Sequence, residues 1–174
     1  YQFMAWAKEL AKQVNEAGDY LEWETPIGNI IRHNYYEDKK VRLRVDSQFV
    51  VFSIPAEKDA KLSTSEMISG IAPNFIHSLD ASHMLDTINR MYTDGISSFS
   101  MIHDSFGCHA NDVPKMHKHI RESFVEMYDN NNPSLVLAET TAKKSTAEDW
   151  ESCTIHPPSR SSLDIHDVLQ SEYF

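Results

Sequence analysis

The stretch Phe99-Ser100-Met101-Ile102-His103-Asp104-Ser105-Phe106-Gly107-Cys108 decides how this chain is read. A short apolar run leads to the pair His103-Asp104 and a second short run leads away, the pattern of two strands joined by a tight turn. One carboxylate, Asp104, then stands at the tip of a β-hairpin. The strands fix it and the turn exposes it, which suits a ligand for a divalent metal. Nucleotidyl-transfer enzymes need such a carboxylate, because the metal it holds stabilises the attacking and leaving oxygens of an in-line displacement. An ordinary hairpin turn also favours Asp followed by Ser, so the tip taken alone leaves both readings open.

The segment Ser69 to Met84 lies just upstream. Gly70 and Pro73 punctuate it, and they predict a break after a short helix over Ser63–Ile68. A second helix is then expected from about Asn74 to about Tyr92, ending before Asp94-Gly95. Its first turns are unusually polar: His77, Ser78, Asp80, Ser82 and His83 crowd together. His77 and Asp80 are three apart and share a face. That face is either solvated or lines a polar cleft beside the hairpin.

The string Gly70-Ile71-Ala72-Pro73-Asn74-Phe75-Ile76-His77-Ser78-Leu79-Asp80, followed by His103-Asp104-Ser105-Phe106-Gly107, closely resembles the C-terminal part of single-subunit, phage-type DNA-dependent RNA polymerases. Mitochondrial and chloroplast polymerases share the pattern. The spacing of the two motifs, a helix over Asp112–Tyr128 and the ending Leu163–Phe174 also fit; the likeness is weakest around 135–160. Ser105 directly after the carboxylate points to an RNA polymerase, since an acidic residue typically follows in the related DNA polymerases. Gly107 looks phage-like, whereas Ser78-Leu79-Asp80 leans slightly the other way; the phage form is favoured.

The resemblance implies an α+β fold, the C-terminal fragment of a right-hand polymerase with its palm β-hairpin packed against helices. It divides the chain into 1–62 (end of the fingers and palm insertion), 63–134 (palm with the catalytic hairpin) and 135–174 (surface excursion and docking segment). The implied reaction is attack of an RNA 3′-hydroxyl on the α-phosphate of a nucleoside triphosphate, directed by a DNA template. Asp104 would hold Mg²⁺, and His103 would flank the metal and position the primer end. His77 resembles the family histidine that lies in the minor groove near the nascent pair and helps sense the ribose. Asp80, Ser105 and Phe174 join it as nucleotide or nucleic-acid contacts, with Phe174 and the terminal carboxylate close to the site. The second metal-binding aspartate and the nucleotide-binding helix with its lysine and tyrosine lie well upstream in the family, and neither appears here. The chain is therefore expected to be a C-terminal fragment, or one chain of a split polymerase, inactive without a partner carrying that aspartate.

Two other classes stay open: a non-catalytic scaffold or degenerate remnant, and a metal-dependent hydrolase joining Asp104 to His83, His103 or His109. The hydrolase needs one or more of these histidines to converge on a metal with Asp104, and hairpin alternation argues against it, since the side chains of the neighbours His103 and Asp104 diverge.

Composition sets bounds. The 174 residues, 41% hydrophobic, suffice for a real core. A net charge of −10 argues against a free-standing nucleic-acid binder, although Lys39-Lys40-Val41-Arg42-Leu43-Arg44 could form a local basic strip or simply a solvated strand face. Two cysteines, Cys108 and Cys153, are too few for a disulfide framework. With no secretory segment and no apolar stretch near the roughly 20 residues needed to span a bilayer, the expected setting is cytoplasmic: a phage protein in its host cell. Among nine histidines, His109, His117 and His119 lack zinc-type spacing, and His117 is expected in the core with Val113, Met116, Ile120 and Phe124.

Elsewhere, Phe3, Ala7, Leu10, Val14 and Ala17 predict a helix closed by Gly18. Strands are expected at Tyr20–Glu24, Ile30–Tyr36, Val41–Val45 and Phe49–Ile54, the last covered on both faces. Asn130–Pro133 marks a break. Residues 139–162 read as a polar surface excursion, after which Leu163, Ile165, Val168 and Leu169 dock the end of the chain.

Overall fold

In a computed structural model, residues 2–55, 60–129, 131–144 and 156–171 are described. Helix α1 (Gln2–Glu16) forms where the apolar periodicity requires it, burying Trp6, Ala7, Leu10 and Ala11. Gly18 closes it at φ 78°, a left-handed turn that glycine adopts without a Cβ clash, and its N–H donates to Asn15 O at 2.9 Å. Strands β1 (Leu21–Glu24) and β2 (Ile30–His33) pair antiparallel, with Leu21 opposite His33. Alternation sends Leu21 and Trp23 inward.

Strands β3 (Lys39–Val45) and β4 (Gln48–Ile54) form a second antiparallel hairpin. The apolar run Phe49–Ile54, expected to be covered on both faces, is exposed along its whole length. Among the described residues its sheet has only these two strands, and the side chains of β4 stay largely in solvent. The Arg42 guanidinium stands 4.0 Å over the Phe49 ring, a cation–π contact that shields part of it.

The expected break at Gly70–Pro73 is absent. Helix α2 runs unbroken from Thr64 to Thr93, with Pro73 inside it. An interior proline removes one backbone bond and costs about 3 kcal/mol, so packing must outweigh it. The helix buries Met67, Ile71, Ala72, Phe75 and Leu79, and at roughly 1.5–3 kcal/mol per large apolar side chain that face outweighs the local penalty. Gly70 serves packing: a Cβ there would lie 3.2 Å from His33 Cε1 and 3.4 Å from Tyr35 Cε2.

Strands β5 (Phe99–Ile102) and β6 (Ser105–Cys108) make the third hairpin. A 3₁₀ turn over Ala110–Asp112 then leads into α3 (Val113–Asp129). Arg90 ties α2 to α3: its guanidinium meets Asp86 at 2.7 Å and Glu126 at 2.7 Å, and Ser123 Oγ donates to Asp86 at 2.7 Å. A fourth helix, α4 (Pro133–Lys144), occupies the start of what reads as a polar excursion. It buries Leu137, Ala138 and Thr141 and packs on β1. A short 3₁₀ helix over Ile165–Gln170 packs on α3. Ile165 and Val168 are half-buried there, while Leu163 and Leu169, expected to dock, are exposed.

The fold is α+β, with helices and, among the described residues, three separate two-stranded antiparallel sheets. The core joins α1, β1, α2 and α4 through Trp6, Leu10, Leu21, Trp23, Phe75 and Leu137. Trp23 stands edge-on to Phe75, with ring centroids 5.5 Å apart. No helix among the described residues is long and apolar enough to cross a membrane.

Candidate active site

The β5–β6 register pairs Met101 with Phe106 and Ile102 with Ser105, which leaves His103 and Asp104 as a two-residue turn. His103 has φ 55°. A positive φ at the first central residue belongs to hairpin turns of the II′ kind, where glycine is usual. In a non-glycine residue it costs about 1–2 kcal/mol, and such strain collects at functional sites. His103, Asp104 and Ser105 are all exposed. Gly107 faces Ser100 across the ladder, and a Cβ on it would meet Ser100 O at 3.2 Å.

The hairpin leans on α2 and α3. The Phe106 ring stands edge-on to His83, with centroids 5.5 Å apart. His83 is buried, and its Nε2–H donates to Ile120 O at 2.8 Å. The ring also meets Phe124 edge-on, with centroids 5.5 Å apart. Burial holds the His83 imidazole below its ordinary pKa, against the opposing pull of its bond to Ile120 O.

The polar cluster on α2 divides into two sets. Ser78, Ser82 and His83 are buried, whereas His77 and Asp80 are exposed. Ser78 Oγ accepts from Trp23 Nε1 at 2.9 Å and donates to Phe75 O at 2.7 Å. Ser82 Oγ donates to Ser78 O at 2.7 Å. These serines serve the fold, and His77 and Asp80 are the members that a ligand can reach.

One arrangement near α2 escaped the sequence reading. His33 is buried on β2, and its Nε2–H donates to Met67 O at 2.8 Å. Its Nδ1 is thereby the acceptor for Asn74 Nδ2 at 3.2 Å, and the same amide donates to Tyr35 Oη at 2.7 Å. Burial holds the His33 imidazole below its usual pKa. The tie locks β2 to α2 one turn before His77. Its trace in the sequence is Gly70, whose missing side chain admits the His33 and Tyr35 rings.

His117, expected in the core, is exposed on α3. The buried stripe of α3 runs through Ile120, Ser123 and Met127, and His117 Nδ1 instead accepts from the buried Arg121 guanidinium, which also donates to Ser171 O. His119 and Lys115 hold Asp94, at 3.2 and 3.3 Å; their hydrogen bonds, His119's first, keep the Asp94 carboxyl below its ordinary range. The Cys108 thiol is pushed up, chiefly by burial. Phe174 and Cys153 lie outside the described residues.

Among the described residues no group of three or more His, Cys, Asp or Glu side chains is gathered to hold a metal. His83 points at a backbone carbonyl and does not join Asp104. Asp104 offers one exposed, hard oxygen donor. That fits Mg²⁺, which is held by one or two carboxylates with phosphates and water, and does not fit a zinc centre built from three or four protein ligands.

The family model for DNA-dependent RNA polymerase matches residues 2–148. The chain is 34% identical over 171 residues to a DNA-directed RNA polymerase of Pseudomonas phage phiKMV, covering 98% of this chain and 20% of that protein. It is 37% identical over 123 residues to the mitochondrial DNA-directed RNA polymerase of Mus musculus, covering 71% of this chain and 10% of the relative. With the chloroplastic DNA-directed RNA polymerase 3 of Nicotiana sylvestris the identity is 32% over 172 residues, 98% of this chain and 17% of the relative. The chain thus spans a fifth or less of the length of these three relatives, and it belongs to the DNA-dependent RNA polymerase family.

Proposed function

We propose that this chain forms the C-terminal part of a DNA-directed RNA polymerase of the phage type and contributes one carboxylate, Asp104, to template-directed nucleotidyl transfer. In this reading residues 1–62 end the fingers and palm insertion, residues 63–134 are the palm of a right-hand polymerase, and residues 135–174 return over the surface. Substrates are nucleoside triphosphates, with a DNA template and an RNA product, in the cytoplasm of an infected host. The observation that carries the proposal is an exposed carboxylate at the strained tip of a two-stranded hairpin, braced from behind by α2 and α3.

Mg²⁺ held at Asp104 would supply charge stabilisation to the attacking and leaving oxygens of a two-metal displacement. The chain's own residues provide placement. The hairpin turn presents the Asp104 carboxylate to solvent, and His103 and Ser105 flank it, where they would position the primer end and its phosphates. His77 and Asp80, exposed on α2, contact the nascent pair, and His77 senses the ribose. Phe174 completes the nucleotide contacts. The strip Lys39–Arg44 offers cations to a nucleic-acid backbone, the attraction that an acidic chain otherwise lacks.

A second metal-binding aspartate must come from the rest of the polymerase, whether on the same chain or on a partner. The test is Asp104→Asn in the complete polymerase. The amide keeps the shape and loses the charge. RNA synthesis is expected to fall at least about 10³-fold, some 4 kcal/mol of barrier, with the melting temperature unchanged. The chain alone is expected to make no RNA, and a polypeptide carrying the upstream aspartate and nucleotide-binding helix should restore synthesis. Wild-type elongation by the Asn variant refutes the assignment; a scaffold role accounts for that result.

A further inference from the structure

We propose that His83 is the positioning residue for the Asp104 hairpin, transmitting the α2–α3 packing to the metal-binding tip through the ring of Phe106. The inference rests on the reading of Asp104 given above. A two-stranded hairpin is marginal in water and needs a surface to lean on. The tip of this one has little of its own: Ile102 is 66% exposed, and Ser105, which closes the turn opposite it, is exposed as well. One step back along the ladder, Met101 and Phe106 are half-buried, and Phe106 stands against His83. The angle at which the hairpin presents Asp104 is therefore set two residues from Asp104, by that ring contact.

His83 is itself fixed on two sides. Its Nε2–H bond to Ile120 O at 2.8 Å and its edge-on contact with Phe124 at 76° leave the imidazole one orientation. A leucine could fill the space without such a bond and would allow several rotamers. The histidine therefore defines the plane on which Phe106 rests, and a catalytic group misplaced by about 1 Å can lose roughly 10² in rate. A merely packed core histidine would matter for folding and not for metal use.

The experiment uses the complete polymerase and titrates Mg²⁺ during elongation. His83→Gln keeps a side-chain donor for Ile120 O and loses the ring. It should raise the half-saturating Mg²⁺ concentration about three- to tenfold, with template binding unchanged. Phe106→Leu should do the same, and the double variant should shift Mg²⁺ use no further than either alone, since both act through one contact. If His83→Gln fails to fold, the Phe106→Leu titration decides by itself, because Phe106 is only half-buried. A lower melting temperature with a wild-type Mg²⁺ curve overturns the inference, and so do fully additive shifts. If Asp104→Asn is inactive while the His83 and Phe106 variants titrate like wild type, only this inference falls. If Asp104→Asn elongates normally, the reading of the site falls and takes the inference with it.

Discussion

Trp23 and Ser78, 55 residues apart in the chain, are joined in the core by a 2.9 Å bond from the indole Nε1–H to the serine hydroxyl. Ser78 spends its own proton on Phe75 O, so its oxygen is free to accept from the indole. The pair fixes the rotation of α2 about its axis at the residue immediately after His77. A buried polar contact thus sets the direction in which an exposed candidate site residue points.

Ser78→Ala leaves the Trp23 N–H buried without an acceptor. An unmet buried donor costs about 1–3 kcal/mol, and urea denaturation should show a loss of that size. An unchanged midpoint would mean that the indole finds another acceptor and that the pair does not set the helix.

His77→Ala should change stability by no more than about 0.5 kcal/mol, as expected for an exposed side chain, while altering nucleotide choice. In the complete polymerase, the ratio of ribonucleotide to deoxyribonucleotide incorporation should fall several-fold. A large drop in melting temperature with unchanged discrimination would assign His77 to the fold.

Gly70→Ala opposes two effects. Alanine gains about 1 kcal/mol of helix propensity over glycine. The new Cβ would lie 3.2 Å from His33 Cε1, and that ring cannot yield easily because it is bonded to Met67 O and faces the Asn74 amide. Overpacking costs typically 1–3 kcal/mol, so a net loss of about 1 kcal/mol is expected in thermal melts. A net gain would show that the His33 ring moves freely.

The buried histidines set a pH dependence. Burial holds His33 and His83 below the ordinary imidazole pKa, near 6.5. Unfolding lets both take up protons, so their contribution is fully present above about pH 6.5 and is lost as pH falls through their folded-state values. The Glu126 carboxyl, held down chiefly by its hydrogen bond from Arg90, adds a second loss in stronger acid, below the usual carboxylate range. The melting temperature should therefore begin to drop below about pH 6.5. His33→Gln should flatten that first limb; an unaltered slope would show that the imidazole is not what titrates.

The hairpin and α3 were legible because each has a clean period and a clear boundary. Ile102 and Ser105 bracket a two-residue turn, and Pro114 sits in the first turn of α3, where its missing N–H costs nothing. The break at Gly70–Pro73 was misread because both residues are local breakers, while the partner surface of His33 and Tyr35 that overrides them lies 35 or more residues earlier in sequence. Strand β4 misled in the opposite sense. A continuous apolar run signals two covered faces, yet what would cover Phe49–Ile54 is not among the described residues. Helix α4 was missed because Leu135, Val136, Leu137 and Ala138 are consecutive and show no helical spacing. The polar residues of α2 carried no mark telling which turn inward; the Trp23 bond decides that for Ser78.

The β3–β4 ribbon has a practical consequence for anyone handling this chain by itself. Among the described residues β3 and β4 form a ladder only with each other, and Phe49, Val51, Phe52 and Ile54 are each between 45% and 58% exposed. Open edges beside apolar side chains invite strand addition from a second molecule. The purified chain is expected to self-associate as its concentration rises, with Lys39, Lys40, Arg42 and Arg44 as the gatekeeping charges that slow it. Changing Val51 and Phe52 to threonine or lysine should keep the protein in solution without touching the hairpin that carries Asp104.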